Sequence, residues 1–137
     1  MNVHFSSKSM EWSTPQNLFD ELNREFGFII DVCASPKNQK CPVAFYSGAL
    51  EIPWIGPAWM NPPYGREIAK WLSKADMEAK RGVTVVCLIP ARTDTSWWHE
   101  IVMKYEIRFL RGRLSFTNEN GKRGCAPFPS AIIVMKK

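Results

Sequence analysis

The sequence has few of the features that place a chain in a membrane or around a metal ion. It contains no run of about 18 apolar residues, which a transmembrane helix needs. Residues 1–12 include no apolar signal core, so we expect a cytoplasmic location. The four cysteines form no C-x-x-C pair and match no common zinc spacing. We therefore expect free thiols and assign no metal.

Histidine is also scarce, with two residues in the chain. His4 lies near the N-terminus and His99 in a predicted helix, and we assign neither a catalytic role because neither has an identifiable partner. Internal repeats, low-complexity segments and interdomain linkers are absent, and 45% of the residues are hydrophobic. We therefore expect a single domain at 12–137, preceded by an N-terminal tail at 1–11.

Positive charge is concentrated in the last quarter of the chain. The formal net charge is +5. From Lys104 onward there are eight basic residues and two acidic ones, so this segment carries the whole excess. Such a balance permits a phosphate-bearing partner without proving one. The six tryptophans suit either burial or stacking on flat ligands.

Turn residues and apolar periodicity divide the chain into alternating helices and strands. Thr14 is the predicted N-cap of the first helix, with Pro15 as its first helical residue and Gly27 as its end. The later helices are expected at 66–82 and at 93–104, the last capped by Thr93 or Asp94. The predicted strands are 28–34, 58–61, 83–91 and 130–137, with a hairpin at 106–116 that turns near Arg111 and Gly112.

The alternation of strands and helices predicts an open α/β sheet, to which the hairpin adds an antiparallel edge. In such sheets the ligand lies at the carboxyl ends of the strands. Three segments follow strands in this way: 31–34, 61–65 and 90–92. We expect them to line one rim.

The segment Asn61-Pro62-Pro63-Tyr64 is the most unusual feature of that rim. The prolines fix the backbone, so that the side-chain carbonyl of Asn61 and the backbone carbonyl of Pro62 face one point. Both are acceptors, and together they suit an exocyclic amine on a planar ring. Tyr64 offers a flat face to that ring. A rigid turn without chemistry is the alternative.

With this motif the chain resembles the bacteriophage-type DNA N6-adenine methyltransferases, a Dam-like phage family. The matching segments, in the family's order, are WSTPQNLFDELN (12–23), DVCASPKNQKC (31–41), WMNPPYG (59–65), LIPARTDTSWWH (88–99), EIRFLRGRLSF (106–116) and APFPSAIIV (126–134). The resemblance implies a reduced Rossmann-like α/β sheet that uses S-adenosylmethionine and carries a C-terminal antiparallel hairpin. It also implies methyl transfer to the N6 amine of adenine in double-stranded DNA.

The resemblance assigns roles to individual residues. Asn61, Pro62, Pro63 and Tyr64 are implied to hold a flipped adenine. The residues implied to contact the cofactor are Trp12, Thr14, Pro15, Asp31, Cys33, Ala34 and Asn61. A plain helix start remains the alternative for Thr14 and Pro15, and a cap or ion pair the alternative for Asp31.

DNA contacts are expected from basic residues near the rim and on the hairpin: Arg66, Arg92, Arg108, Arg111, Arg113, Lys122 and Arg123. For the hairpin residues the alternative is a solvated face without DNA contacts. For Arg92 the alternative is an ion pair with Asp94. Trp97 and Trp98 either pack in the core or act as a base-stacking wedge. A phage-encoded protein of this kind would work in the host cytoplasm, and a homodimer is possible for so small a chain.

The chain departs from the broader methyltransferase pattern in three ways. The turn after Asp31 has no G-x-G glycines, and no strand–helix–strand unit lies between Asp31 and Trp59. Glu51 is the candidate acidic ligand for a ribose. There is also no room for a separate target-recognition domain. The missing glycines leave a non-catalytic DNA-binding domain open as an alternative function. Cytosine N4 methylation and protein glutamine methylation also stay open, because enzymes of both kinds use a similar motif.

Overall fold

The computed structural model describes residues 13–117 and 123–137. Two residues predicted to act in the site, Trp12 and Lys122, lie outside these ranges, as does the expected tail at 1–11. The helices are α1 (Gln16–Phe26), α2 (Ile68–Lys80) and α3 (Ser96–Glu100), and short 3-10 turns occur at Ala49–Glu51 and Val102–Lys104. The strands are β1 (Ile30–Asp31), β2 (Ala58–Met60), β3 (Val85–Pro90), β4 (Glu106–Phe109), β5 (Ser115–Thr117), β6 (Arg123–Cys125) and β7 (Ser130–Met135).

Five strands form one mixed sheet in the order β1-β2-β3-β7-β4, which confirms the predicted α/β class. β1, β2 and β3 are parallel neighbours, and β7 runs antiparallel to both β3 and β4. β4 therefore points the same way as β3. As a result the carboxyl ends of β1, β2, β3 and β4 all meet at one edge of the sheet, here called the rim.

The hairpin predicted within residues 106–116 is wrong. β4 pairs with β7, whereas β5 pairs with β6 in a separate two-stranded sheet. β7 is buried along its whole length and needs a partner on each edge, which β3 and β4 provide. The turn at Gly112, with φ of 73°, directs the chain out of the large sheet. The β5–β6 pair thus belongs to an excursion that leaves the rim after β4 and returns to it at β7.

The core lies on both faces of the sheet, because neighbouring residues of a strand point to opposite sides. On one face Trp59, Val86 and Leu88 pack with Phe19 and Leu22 of α1. On the other face the alternate strand residues pack with α2 and α3: Met60, Cys87 and Ile89 with Leu72 and Trp98. The central strand β3 is buried throughout, as its continuous apolar sequence predicts.

The helix ends test the capping predictions. Gly27 ends α1 in the left-handed conformation, with φ of 66°, as predicted. The predicted caps of α1 and α3 are wrong. Pro15 occupies the N-cap position of α1, and Thr14 precedes it, with its side chain buried and directed elsewhere. In α3 the hydroxyl of Thr95 accepts from the backbone of Trp98, so Thr95 is the cap and not Thr93 or Asp94.

The connection between β1 and β2 contains no α-helix, as the sequence predicted, and is held by side chains. The buried carboxylate of Glu78 accepts hydrogen bonds from the backbone of Trp54 and from Lys74 and Arg81. Burial opposes its ionisation, but these hydrogen bonds outweigh burial and lower the pKa of Glu78. Trp54 in turn stacks on Trp71 of α2. The irregular segment is thereby fixed against α2 beside the rim.

Candidate active site

The side-chain amide of Asn61 lies at the carboxyl end of β2 and is held by two hydroxyl groups. Asn61 Nδ2 donates to Thr14 Oγ1 at 3.1 Å, and Tyr64 Oη donates to Asn61 Oδ1 at 3.0 Å. Thr14 and Tyr64 are 4% and 3% exposed. The amide is thereby held at both ends, at Nδ2 by Thr14 and at Oδ1 by Tyr64.

Tyr64 differs from its predicted role. Its ring is buried and meets Phe128 edge to face, with centroids 5.5 Å apart, so it offers no open flat face. The hydroxyl instead lies within hydrogen-bond distance of Asn61 Oδ1 and of the backbone oxygen of Leu88, at 3.3 Å. Burial raises the pKa of Tyr64, so the hydroxyl stays protonated and donates.

The remaining residues of the motif shape the turn between β2 and α2. Pro62 is buried and Pro63 is half-buried, which leaves the backbone between Asn61 and Tyr64 little freedom. Gly65, with φ of 114°, then takes a conformation that other residues rarely adopt. The chain enters α2 three residues later, at Ile68. Asn61 is therefore fixed from both sides, by its hydrogen bonds and by its own backbone.

A pocket of about 170 Å³ opens between the ends of β1 and β2, beside Asn61. Its lining contains residues from three segments: Cys33, Ala34, Asn38, Tyr46, Asn61, Pro63, Glu67 and Trp71. Cofactor and drug-sized pockets are typically about 300–1,000 Å³. The pocket is therefore large enough for part of such a ligand, with the remainder on the open rim.

One buried polar atom of a pocket-lining residue lacks a hydrogen-bond partner among the described residues. The indole Nε1 of Trp71 is buried, and no group among the described residues accepts a hydrogen bond from it. A buried N–H donor without an acceptor is costly, and such groups are uncommon in folded proteins. Trp71 therefore has an unsatisfied buried donor one helical turn from the exposed Glu67, and both residues line the pocket.

Asp31 is placed below the pocket and not in its lining. Its Oδ1 accepts from the backbone N–H of Cys33 at 3.3 Å, and its Oδ2 from that of Lys40 at 3.0 Å. Burial raises the pKa of Asp31, and the two backbone hydrogen bonds partly oppose this change. Asp31 thus braces the glycine-free loop that brings Cys33 and Ala34 to the pocket. A side chain, and not glycine flexibility, shapes this turn.

The sequence resemblance is confirmed by a family model. The model described as DNA N-6-adenine-methyltransferase (Dam) matches residues 4–137. The chain belongs to this Dam family. A comparison with curated proteins gives no significant match.

Four pocket residues of this Dam-family chain were missed by the sequence analysis: Asn38, Tyr46, Glu67 and Trp71. Asn38 and Tyr46 lie in the irregular segment before β2, where no periodicity marks a residue as facing a site. Trp71 follows the apolar helical pattern of α2, which is typical of a core residue. One signal in the sequence could have identified Trp71 as a site residue. It lies one helical turn after Glu67, near the start of the helix that follows the motif. Glu51, the expected ribose ligand, lies outside the lining.

The basic residues expected to bind DNA fall into different settings. Arg108 is already paired, with Glu25 through both terminal nitrogens at 2.7 Å and with Glu106 at 2.6 Å. It also lies over the ring of Phe26. The hydrogen bonds from Arg108 to both carboxylates raise the pKa of its guanidinium group. Arg108 therefore joins β4 to α1, and its charge is compensated within the fold.

Four of the arginines expected to contact DNA are open to solvent. Arg66, Arg111 and Arg113 are exposed and form no ion pair with a described residue. Arg92 is also exposed and lies over Phe128, 5.7 Å from the ring centre, without the expected ion pair to Asp94. Arg123 contributes its backbone to β6.

None of the helices in residues 13–117 and 123–137 has the length and apolar character that crossing a membrane requires.

Proposed function

We propose that this Dam-family protein transfers a methyl group from S-adenosylmethionine to the N6 amine of adenine in double-stranded DNA. The observation that carries the proposal is the fixed amide of Asn61 at the carboxyl end of a parallel strand. A family model for DNA adenine methylation that matches residues 4–137 supports the chemistry. As in other α/β sheets, this edge is where ligands bind.

The residues at the rim fit part of the proposed cofactor. Glu67 supplies a carboxylate, Trp71 lines the pocket, and Tyr46 supplies an exposed aromatic ring. These groups suit an adenosine portion, which carries hydrogen-bond acceptors, hydroxyl donors and a flat ring. Cys33 and Ala34 would contact the same ligand, as would Pro15, while Thr14 holds Asn61 and Asp31 holds the loop. When bound, the cofactor supplies an electrophilic methyl group on a sulfonium centre.

The proposed role of Asn61 is to hold the amine. An amide oxygen can accept two hydrogen bonds, so Oδ1 can accept from the adenine amine as well as from Tyr64. The Pro62 carbonyl provides a second acceptor for the other amine hydrogen. Two acceptors at this position favour the tetrahedral amine, whose lone pair is then directed at the methyl group.

Methyl transfer at this site requires no residue of the motif to act as a base. With the cofactor bound, the amine nitrogen would take the methyl group as the bond from that methyl to sulfur breaks, and the surplus amine proton would then pass to water. Tyr64 does not accept that proton as a phenolate, because burial raises its pKa and keeps the hydroxyl protonated. The chain's contribution is therefore orientation and hydrogen bonding, which are effective because the groups are already in place.

The proposed substrate requires the target base to leave the helix. An amine inside a duplex cannot reach Asn61, so we infer that the adenine is flipped out of its stack. The exposed arginines Arg66, Arg92, Arg111 and Arg113 would contact the phosphates, and Lys122 and Arg123 are proposed as further phosphate contacts on their charge alone. The bacterial cytoplasm, as the host of a phage-encoded enzyme, is the expected setting.

Incubation with tritiated S-adenosylmethionine and unmethylated DNA tests the proposal. Nucleoside analysis should then give labelled N6-methyladenine, and Asn61→Ala should abolish the label while the variant stays folded. Labelled N4-methylcytosine, or label in protein, would replace the proposal with one of the related amine methylations. Bound cofactor without any transfer of label would leave a non-catalytic DNA-binding domain.

A further inference from the structure

The most exposed large apolar side chain among the described residues lies on the rim, at the end of β4. Phe109 is 66% exposed, whereas the neighbouring Trp98 is 3% exposed. The two rings lie 6.2 Å apart at a tilt of 36°, so Trp98 supports Phe109 from below. Phe109 is therefore an aromatic ring held on a rigid base and open to solvent on its outer side.

The strand register relates Phe109 to the active site. Phe109 is opposite Ala131 of β7, and Ala131 is opposite Ile89 of β3. Asn61 directly follows Met60, which is opposite Cys87. Phe109 and Asn61 are therefore only about one residue apart along the strand direction. Their backbones are separated by the three steps β2-β3-β7-β4, which is roughly 14 Å at the usual strand spacing.

The charge around Phe109 selects one kind of partner. The excursion from 110 to 129, which begins immediately after Phe109, contains four basic residues and one acidic residue. Arg111 and Arg113 follow Phe109 closely and are exposed, and Arg92 is exposed at the end of β3. The pocket half of the rim, by contrast, carries Glu67 and no lysine or arginine in its lining. The β3–β7–β4 half of the rim thus combines positive charge with one exposed ring.

We propose that Phe109 packs against the bases of duplex DNA beside the target adenine, while Arg111 and Arg113 hold the adjacent phosphates. The inference rests on the proposed function, because it takes DNA as the substrate. A separation of roughly 14 Å is close to the width of the DNA major groove, about 12 Å, so a duplex on the rim can reach Phe109 and Asn61 together. Apolar side chains that enter between base steps help to unstack them.

Binding of a labelled DNA duplex with one mismatched adenine tests this contact, since a mismatched base needs the least energy to flip. Fluorescence anisotropy gives Kd for the wild type and for Phe109→Ala, Phe109→Trp and Met77→Ala. Base stacking on an aromatic ring is worth about 1–3 kcal/mol, so Phe109→Ala should weaken binding by roughly 5- to 150-fold. Phe109→Trp should retain affinity.

Met77→Ala is the matched control. Met77 is 59% exposed on α2, about two and a half turns after the helix start at the rim. Removing this apolar side chain should leave Kd unchanged. Phe109→Ala should also leave the salt dependence of binding unchanged, because the ring carries no charge. A Kd for Phe109→Ala within twofold of the wild type would overturn the inference.

Sedimentation of the same variants distinguishes the other occupant of this surface, a second copy of the chain. If the wild type is a dimer and Phe109→Ala a monomer, Phe109 serves the dimer contact and the inference is wrong. Failure of the proposed function is separate from both outcomes. A wild type that binds the duplex through Phe109 but transfers no methyl group would refute the function and retain the DNA contact.

Discussion

Thr14 accepts a hydrogen bond from Asn61 across 47 residues of sequence, with Oγ1 and Nδ2 separated by 3.1 Å. Thr14 precedes α1 on one face of the sheet, and Asn61 follows β2 at the rim. Tyr64 donates to the other end of the same amide. The N-terminal segment therefore helps to orient the residue to which we assign the adenine amine.

Replacing Thr14 by Val should slow methyl transfer while leaving cofactor affinity nearly unchanged. The isosteric methyl group cannot accept from Asn61 Nδ2, so the amide is free to turn out of position. Misplacement of a reacting group by about 1 Å can cost up to about 100-fold in rate, and we expect kcat to fall by roughly 10- to 100-fold. Thr14→Ser retains the hydroxyl and should recover most of the activity. A large rise in cofactor Kd for Thr14→Val alone would instead assign Thr14 to cofactor contact.

Tyr64→Phe tests the contribution of the hydroxyl separately from that of the ring. The ring still fills its buried place against Phe128, so the free energy of unfolding should fall by only about 1 kcal/mol, the value of one typical hydrogen bond. The rate kcat should fall by about tenfold or more because Asn61 Oδ1 loses its donor. The pH profile should keep the wild-type shape, since Tyr64 stays protonated. Full activity in Tyr64→Phe would show that the hydroxyl does not position Asn61.

The contribution of Asp31 to the stability of the folded protein should decrease as the pH rises. Its carboxyl group is buried, which raises its pKa above the ordinary value of 3.8. A group with a raised folded pKa binds its proton more tightly in the folded protein. Its contribution to stability is therefore present below about pH 4 and is lost as the pH rises through the raised folded value.

Asp31→Asn removes this titration. We expect the difference in free energy of unfolding between wild type and variant to change with pH in that window and to level off above it, as measured by urea unfolding. The variant also loses an acceptor for one backbone N–H, which should loosen the loop at Cys33. A pH-independent difference between the two proteins would show that Asp31 titrates alike in the folded and unfolded chain.

Neutralising Arg111 and Arg113 together as Gln should make the salt dependence of DNA binding shallower. Each phosphate contact contributes about 0.9 to the slope of log K against log salt concentration, so the slope should decrease in magnitude by roughly 2. Arg108→Gln is the matched control, because the charge of Arg108 is compensated by Glu25 and Glu106. Arg108→Gln should lower the free energy of unfolding and leave the slope of log K against log salt concentration unchanged. Equal slopes in the double variant and the wild type would show that Arg111 and Arg113 lie on a solvated surface and contact no phosphates.

Local signals in the sequence predicted much of this fold. The end of α1 at Gly27, the strand before the Asn-Pro-Pro-Tyr motif and the buried central strand depend on residues close together in the chain. The rim followed from them by a general rule for parallel strands. The pairing of β4 with β7 was missed, because residues 106–116 taken alone resemble a hairpin and the competing partner lies some 20 residues later.

The candidate site was predictable in its position and less so in its contacts. The motif residues were identified, but the orientation of Tyr64 depends on Leu88 and Phe128, which are distant in sequence. The role of Asp31 depends on backbone groups of a loop without regular structure. Tertiary contacts of this kind leave no periodic pattern in the sequence.

Expression in a methylation-deficient bacterium, followed by sequencing that maps modified bases, tests the central claim most directly. We expect N6-methyladenine in the host DNA at a defined sequence context, and none in cells that express folded Asn61→Ala. Host DNA without modified adenine, in cells containing folded wild-type protein, would contradict the proposed function.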